Sequence, residues 1–373
     1  MDRRTFLIGS ASGLGALSVA SCARLSTHPP TNDRQSRYSP IKSSDERVLR
    51  SVVGLRPFRP AGYRLAIEIL DGKTIVHNYG HGGAGITLSW GTSKTAAELA
   101  VSSNPKSVAV LGSGVMGLTT SLLLAEKGLA VALYAADFPP HTTSNVAAAV
   151  WLPSSYFDRD VVTPDFLTSD RANIRSSFRR FLAFVNRPRY GVYWNTYHLL
   201  RQSAPKTQRE QPGGDDLYPE LTYSVNNNLF GFAHQKKMRV LMIDPMLYLP
   251  SLMQDAQIAG VRTRQERFES TDQVLSLNAD VIVNCTGMGA KTLFDDTSMY
   301  PVQGQLTHLL PQPEINYSYV VPTEDGYLYM FPRRGSIVLG GTSIKGAYST
   351  EPDMALARRM IAGHRELADR LRT

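Results

Sequence analysis

Cysteine is almost missing from this sequence: 373 residues contain two, Cys22 and Cys285, in unrelated contexts. That excludes a disulfide framework and a thiolate metal cluster, so no metal chemistry is expected. Blocks of one charge are missing as well. Lys and Arg number 40 against 32 Asp and Glu, but the signs are interleaved, so the net charge of +8 describes an ordinary basic surface rather than a nucleic-acid groove. With 42% hydrophobic and 19% charged residues, the chain can bury a full-sized core, in one large domain or two interleaved ones. A disordered tail or a mini-protein is excluded.

Residues 1–22, MDRRTFLIGSASGLGALSVASC, lack an apolar run long enough to span a bilayer stably, being rich in Gly and Ser. Paired Arg3 and Arg4, followed by Phe6, Leu7 and small residues, resemble a twin-arginine export signal. Val19, Ala20 and Ser21 before Cys22 resemble a bacterial lipoprotein cleavage site, with the lipid on that cysteine. Residues 23–46 are rich in Ser, Thr, Pro and Arg without a period and read as a flexible tether. The expected location is therefore the periplasm or the extracytoplasmic face of a membrane, touched only through the signal or a lipid on Cys22.

No internal repeat or low-complexity run interrupts the remainder. Ser107–Leu111 reads as a short buried strand that enters Gly112, Gly114 and Gly117 of GSGVMG, and the helical TTSLLLAEKG and the strand AVALYA follow. Such a turn, with Val115 and Met116 at the helix start, lets backbone N–H groups approach a pyrophosphate, where the helix dipole favours negative charge. Asp137 stands about 20 residues beyond the last glycine, where an acid binds ribose hydroxyls. These parts together point to dinucleotide binding and leave FAD against NAD open.

HTTSNVAAAVWLP, residues 141–153, resembles the flavin-binding loop of the D-amino acid oxidase family, and ADVIVNCTGMGAKTLFDD with MYPVQGQL resembles its crossing between domains. VVGLRPFRPAGYRL (52–65), HNYGHGGAGITLSWG (77–91) and YLYMFPRRGSIVLGGT (327–342) resemble its substrate and flavin edges. The resemblance implies an α/β fold: a Rossmann-type FAD-binding domain plus a mixed-sheet substrate domain. It implies FAD contacts from Thr142, Thr143, Ser144, Ala147, Ala148 and Gly287, and from Gly82, Gly85, Ile86 and Thr87. Gly340, Gly341 and Thr342 match its turn near the flavin's pyrimidine end. By the same resemblance Arg64 pairs with the substrate α-carboxylate, Tyr329 supports it and Gly83 meets the amine. Arg56 and Arg59 read as structural ion-pair residues, His81 as a turn residue, and Cys285 as a buried structural thiol.

The order departs from the family: the GLRP and HNYGHGG blocks, which lie at its C-terminus, here precede GSGVMG. A circular permutation is implied, with the segments 47–106 (permuted edge), 107–153 (FAD-binding core), 154–240 (substrate domain), 241–310 (second part of the FAD domain) and 311–373 (hairpin and final helix). The implied reaction is oxidative deamination of a D-amino acid to a 2-oxo acid, ammonia and, with O2, hydrogen peroxide, by hydride transfer to flavin N5. An amine dehydrogenase, a glycine- or sarcosine-type oxidase, and a non-catalytic FAD-binding lipoprotein are the alternatives. Replacing Arg3 and Arg4 by Lys should hold the precursor inside the cell; unchanged periplasmic flavoprotein in a fractionation would refute this export route.

Overall fold

Ser107–Leu111, SVAVL, is too short for a stable helix and is buried from Val108 onward, as the centre strand of a parallel sheet must be. The helix after it begins at Gly114 and carries nine buried residues, so apolar and small side chains all around it are covered by neighbours. The computed structural model describes residues 38–205, 209–226, 230–324 and 326–371. The proposed signal, Cys22 and most of the tether lie outside the described residues.

In chain order, β1 (Val48–Phe58), β2 (Arg64–Leu70) and β3 (Lys73–Tyr79) precede α1 (Gly85–Val101), β4 (Ser107–Leu111), α2 (Val115–Glu126) and β5 (Ala130–Ala135). Then come α3 (Pro164–Leu182), β6 (Val192–Arg201), β7 (Thr222–Val225), β8 (His234–Ile243), α4 (Pro245–Ile258) and β9 (Arg262–Gln265). Next are α5 (Thr271–Leu275), β10 (Val281–Asn284), α6 (Ala290–Leu293), β11 (Tyr300–Leu309) and β12 (Tyr317–Thr323). The chain closes with β13 (Gly326–Arg333), β14 (Ser336–Gly340), β15 (Ile344–Lys345) and α7 (Met354–Arg370).

Among the described residues the strands form two sheets. The smaller runs β2-β3-β10-β4-β5-β9, parallel except for β2, which pairs antiparallel with β3 at one edge. The larger runs β1-β11-β14-β13-β12-β6-β8-β7, with β15 on β11, and is antiparallel except for β12 beside β6. This is an α/β fold with a nucleotide-type parallel sheet and a mixed sheet. One core joins Val108, Val110 and Val131 of the first to Tyr197, Leu306, Val320, Phe331 and Val338 of the second. The other face of the mixed sheet packs on α7 through Tyr317, Tyr319, Met330, Ile361 and Leu367.

Two expectations change. The chain does not run free to Glu46: Ile41 is buried, the Ser43 hydroxyl donates to the Ile361 carbonyl at 3.0 Å, and Arg365 returns a bond to the Ser43 carbonyl, so residues 41–43 lie against α7. Nor do the segments coincide with the sheets. The block 47–106 gives β1 to the mixed sheet and β2 and β3 to the parallel one, while β11, inside 241–310, belongs to the mixed sheet.

Helix α1 is held closely against α3, because a β-carbon on Gly91 would stand 1.9 Å from the Asn173 carbonyl oxygen. Beside this contact α3 buries Asp170, whose carboxylate accepts the Tyr156 hydroxyl at 2.6 Å with the Tyr63 phenol near it. Tyr63 in turn stacks on His81, ring centroids 4.8 Å apart. Burial pushes the Asp170 carboxyl up to about 6, the Tyr156 bond opposing it in part. A group raised in the folded state contributes its stability fully below the unfolded value of 3.8 and loses it as pH rises through about 6. Denaturant titrations from pH 4 to 7 should show the wild type losing about 3 kcal/mol more than Asp170→Asn. Parallel pH slopes for the two would mean that Asp170 is ionised throughout in the native state.

Candidate active site

The glycine turn between β4 and α2 is built by contacts that no side chain fits. Gly112 has φ +95°, and a β-carbon there would lie 2.5 Å from the Cys285 carbonyl oxygen. One on Gly117 would lie 1.7 Å from the Gly112 carbonyl oxygen, so the helix can approach the strand only with glycine at that position. Gly114 caps α2 without a side-chain acceptor, while the Ser144 hydroxyl accepts the Val115 N–H at 3.1 Å. The first turn of α2, with Val115, Met116 and Gly117, therefore faces a Gly and Ser cradle that could hold a pyrophosphate. Asp137 follows β5; its carbonyl takes the Ser113 hydroxyl, and its exposed carboxylate stands 3.5 Å from Arg267. Cys285 is buried and its thiol is pushed up to about 12, which suits packing and not nucleophilic attack.

Thr142 caps the 3-10 turn Thr143–Val146 reciprocally with Asn145, which fixes Thr143 and Ser144 over the start of α2. The carbonyls of Ala147 and Ala148 both accept from the guanidinium of buried Arg333, at 2.5 and 2.9 Å. A second turn approaches from the other side. Gly82–Ala84 form a 3-10 turn whose Gly83 N–H donates to the Ser155 carbonyl at 2.9 Å, and Gly85, Ile86 and Thr87 then open α1. Helices α1 and α2 are tied together, since Ser93 bonds Thr119 at 2.8 Å and Gly85 faces the Met116 side chain. His81 bonds Thr92 at 3.1 Å, and burial pushes its imidazole down to about 3, so it stays neutral as a packing group.

The substrate edge differs from expectation. Arg64 lies on β2, at the edge of the parallel sheet, where its guanidinium donates to Glu68 at 2.8 Å and to the Tyr79 hydroxyl at 3.3 Å. Tyr329 lies on β13 of the mixed sheet, and Arg64 does not converge with it. Arg64, its donors engaged by Glu68 and Tyr79 on another sheet, is therefore not the arginine that stands at Tyr329. The arginine beside the Tyr329 hydroxyl is Arg56 of β1. Two glycines make room for the pair. A β-carbon on Gly304 would fall 2.3 Å from the Arg56 guanidinium, and one on Gly340 would fall 2.4 Å from the Tyr329 hydroxyl. Arg56 also reaches the Thr342 carbonyl at 3.4 Å, and Gly287 stands against Pro57. Since Phe58 bridges His81, the turn bearing Gly82 and Gly83 lies beside the end of the strand that carries Arg56. The signal that could have pointed to Arg56 is strand alternation, which puts it on the same face as Val52 and Gly54, the face on which Gly304 and Gly340 leave open positions.

A cradle with helix N-termini and an arginine–tyrosine pair on an adjoining sheet fits a dinucleotide cofactor beside an anionic substrate. Comparison with known proteins gives the family and the cofactor. The model of the FAD dependent oxidoreductase family matches residues 107–222 and 238–372. A D-amino-acid oxidase from Rubrobacter xylanophilus is 33% identical over 275 residues, which cover 70% of this chain and 77% of that protein. Human D-aspartate oxidase is 26% identical over 68% of this chain and 74% of its own length. Among solved structures, glycine oxidase from Geobacillus kaustophilus has a TM-score of 0.49 at 19% identity, covering 70% of this chain and 77% of that one. The chain belongs to the FAD dependent oxidoreductase family, and it is an enzyme that works with FAD.

Proposed function

We propose that the enzyme oxidatively deaminates D-amino acids to 2-oxo acids, ammonia and hydrogen peroxide. The observation that carries this reading is the placement of Arg56 against the Tyr329 hydroxyl over Gly304 and Gly340. A guanidinium presents a planar fork that matches both oxygens of an α-carboxylate, and a phenol adds one donor. Burial keeps the Tyr329 phenol above its usual range, hence neutral and donating at physiological pH. Gly112, Gly114, Gly117 and Ser144 would hold the cofactor's pyrophosphate and Asp137 its ribose. Thr142, Thr143, Ala147, Ala148, Gly82, Gly85, Ile86, Thr87 and Gly287 would line the rest of its path. Bound FAD would supply the two-electron acceptor for the Cα hydride, with O2 as the final oxidant, and water would hydrolyse the resulting imine to the 2-oxo acid and ammonia. The chain's own contribution is orientation: Arg56 and Tyr329 fix the carboxylate, and the turn at Gly83 is set to meet the neutral amine. The identity to a D-amino-acid oxidase supports the substrate class.

We further propose that the segment 47–101 fills the place that relatives give to their C-terminal region, and that the protein is exported in folded form with its flavin. The family match beginning at residue 107 and the packing of residues 41–43 against α7 support the first of these.

Arg56→Ala should raise the KM for D-amino acids about 10- to 150-fold, the equivalent of a charged hydrogen bond worth about 1.5–3 kcal/mol. Arg64→Ala should act mainly on thermal stability. Steady-state kinetics and melting curves of both variants decide, and the reverse pattern would return the carboxylate to Arg64. Reordering the gene as 106–371, a short Gly/Ser linker and 38–101 should yield a yellow protein with a comparable melting temperature. A soluble but colourless product would refute the permutation.

A further inference from the structure

The mixed sheet continues past Tyr329, and the same face changes character there. Strand alternation and register place Val320 and Pro322 of β12, then Tyr197, Leu199 and Arg201 of β6, then Lys236 and Met238 of β8, on the face that bears Tyr329 and Tyr327. The intervening residues His198 and Leu200 point to the opposite face: Leu200 packs in the cluster under α7 and His198 against Tyr317. Tyr197 is buried, and its phenol has the Tyr327 hydroxyl and the Arg201 guanidinium as its charged or polar neighbours.

Arg201 and Lys236 are both half-buried and repel one another. The carboxylates of the adjoining loop form no ion pair with them among the described residues. Glu210 pairs with Arg171 at 2.7 Å, Asp216 with Arg175 at 2.7 Å and Glu220 with Arg239 at 3.5 Å, while Asp215 accepts the Gln211 N–H at 2.7 Å. Lys236 finds the neutral Gln211 amide oxygen at 2.7 Å, with Asp215 as the acid nearest it. Burial and Arg201 together push the Lys236 ammonium down to about 8. Two adjacent cations without an ion-pair partner among the described residues are costly unless an anion visits them.

Strand spacing puts β6 three strands from β14, about 14 Å from the Gly340 position over which Tyr329 leans. Between that position and the two cations the same face carries Val320 of β12 and Leu199 of β6, the floor along which a substrate side chain leaving the Arg56 and Tyr329 pair would run. We infer that Arg201 and Lys236 form the side-chain subsite, with Tyr197 and Tyr327 beside them, and that it selects D-amino acids carrying a second carboxylate. This rests on the deaminase reading for the position of the substrate, but the subsite binds a dicarboxylate whether or not oxidation follows.

The experiment uses the FAD-bound enzyme and its Arg201→Ala and Lys236→Met variants. Flavin absorbance titrations compare glutarate with butyrate, and steady-state assays compare D-glutamate and D-aspartate with D-alanine. The expected result is tighter binding of glutarate than butyrate, a matching preference in kcat/KM, and a fall of either ratio by about tenfold or more in each variant. Loss of folding alone would change numerator and denominator together and leave the ratio intact. A wild type that favours butyrate and D-alanine, or variants that leave both ratios unchanged, overturns the subsite. Glutarate selectivity lost in Arg201→Ala, without flavin reduction by any D-amino acid, upholds the subsite and removes the deaminase reading instead.

Discussion

The antiparallel pairing of β1 with β11 sets the geometry on which the candidate site depends. Its register runs from Val48 opposite Leu309 to Phe58 opposite Tyr300 and puts Arg56 opposite Val302, next to the gap left by Gly304. A slip of one residue would turn Arg56 to the other face of the sheet and bring Leu55 to the opening. The same strand ends at Phe58, which bridges His81 and so holds the turn of Gly82 and Gly83 at a fixed offset from the guanidinium. One ladder therefore positions the Arg56 guanidinium of the mixed sheet and a backbone turn that leads into the parallel sheet.

Arg64 takes part in a different structure. It joins Glu68 and Tyr79; Tyr79 donates to Asp296 at 2.8 Å, and Arg59 pairs with Asp296 at 3.0 Å. Glu68 also meets His77 at 2.8 Å, whose other ring nitrogen lies 3.1 Å from Asn284. Burial, with Arg64 adding to it, pushes the His77 imidazole down to about 4, so it serves as a neutral link between strands. The network ties edge strand β2 through β3 to β10, where bare Ile67 and Ile69 would hold poorly, being exposed. Such a network specifies an arrangement more than it adds stability.

The glycine cradle was legible in the sequence because its parts are local: a five-residue strand, three glycines and a helix within one stretch, each restricted by contacts between near neighbours. The arginine was not, because GLRPFRPAGYRL turns from one sheet into another between Phe58 and Arg64, and no local period marks where a strand changes partner. The reach of the tether is hidden for a similar reason. Tyr38 to Ser43 have a linker's composition, yet Ile41 finds an apolar site on α7 that is distant in sequence. Arg201 and Lys236 gave no signal at all, since only the pairing of β6 with β8 and β12 brings them to the face of Tyr329.

On that face the cations stand in three environments, and each environment dictates a different task. Arg333 is fully covered, and its charge is met by the carbonyls of Ala147 and Ala148; burial still pulls it below its usual range, which a guanidinium tolerates without losing its proton. It is a fastener for the loop that leads from Thr142 to Trp151. Arg56, half-covered, faces a neutral phenol and one carbonyl, leaving donors of its fork for a ligand. Arg201 and Lys236, toward the rim, repel each other, and Lys236 has an amide oxygen in contact and Asp215 as its nearest acid. An uncompensated charge is least costly where water can reach it and most useful where an anion passes, so cation pairing that declines from the interior to the rim is what a sheet must show if one face serves as both core and substrate floor.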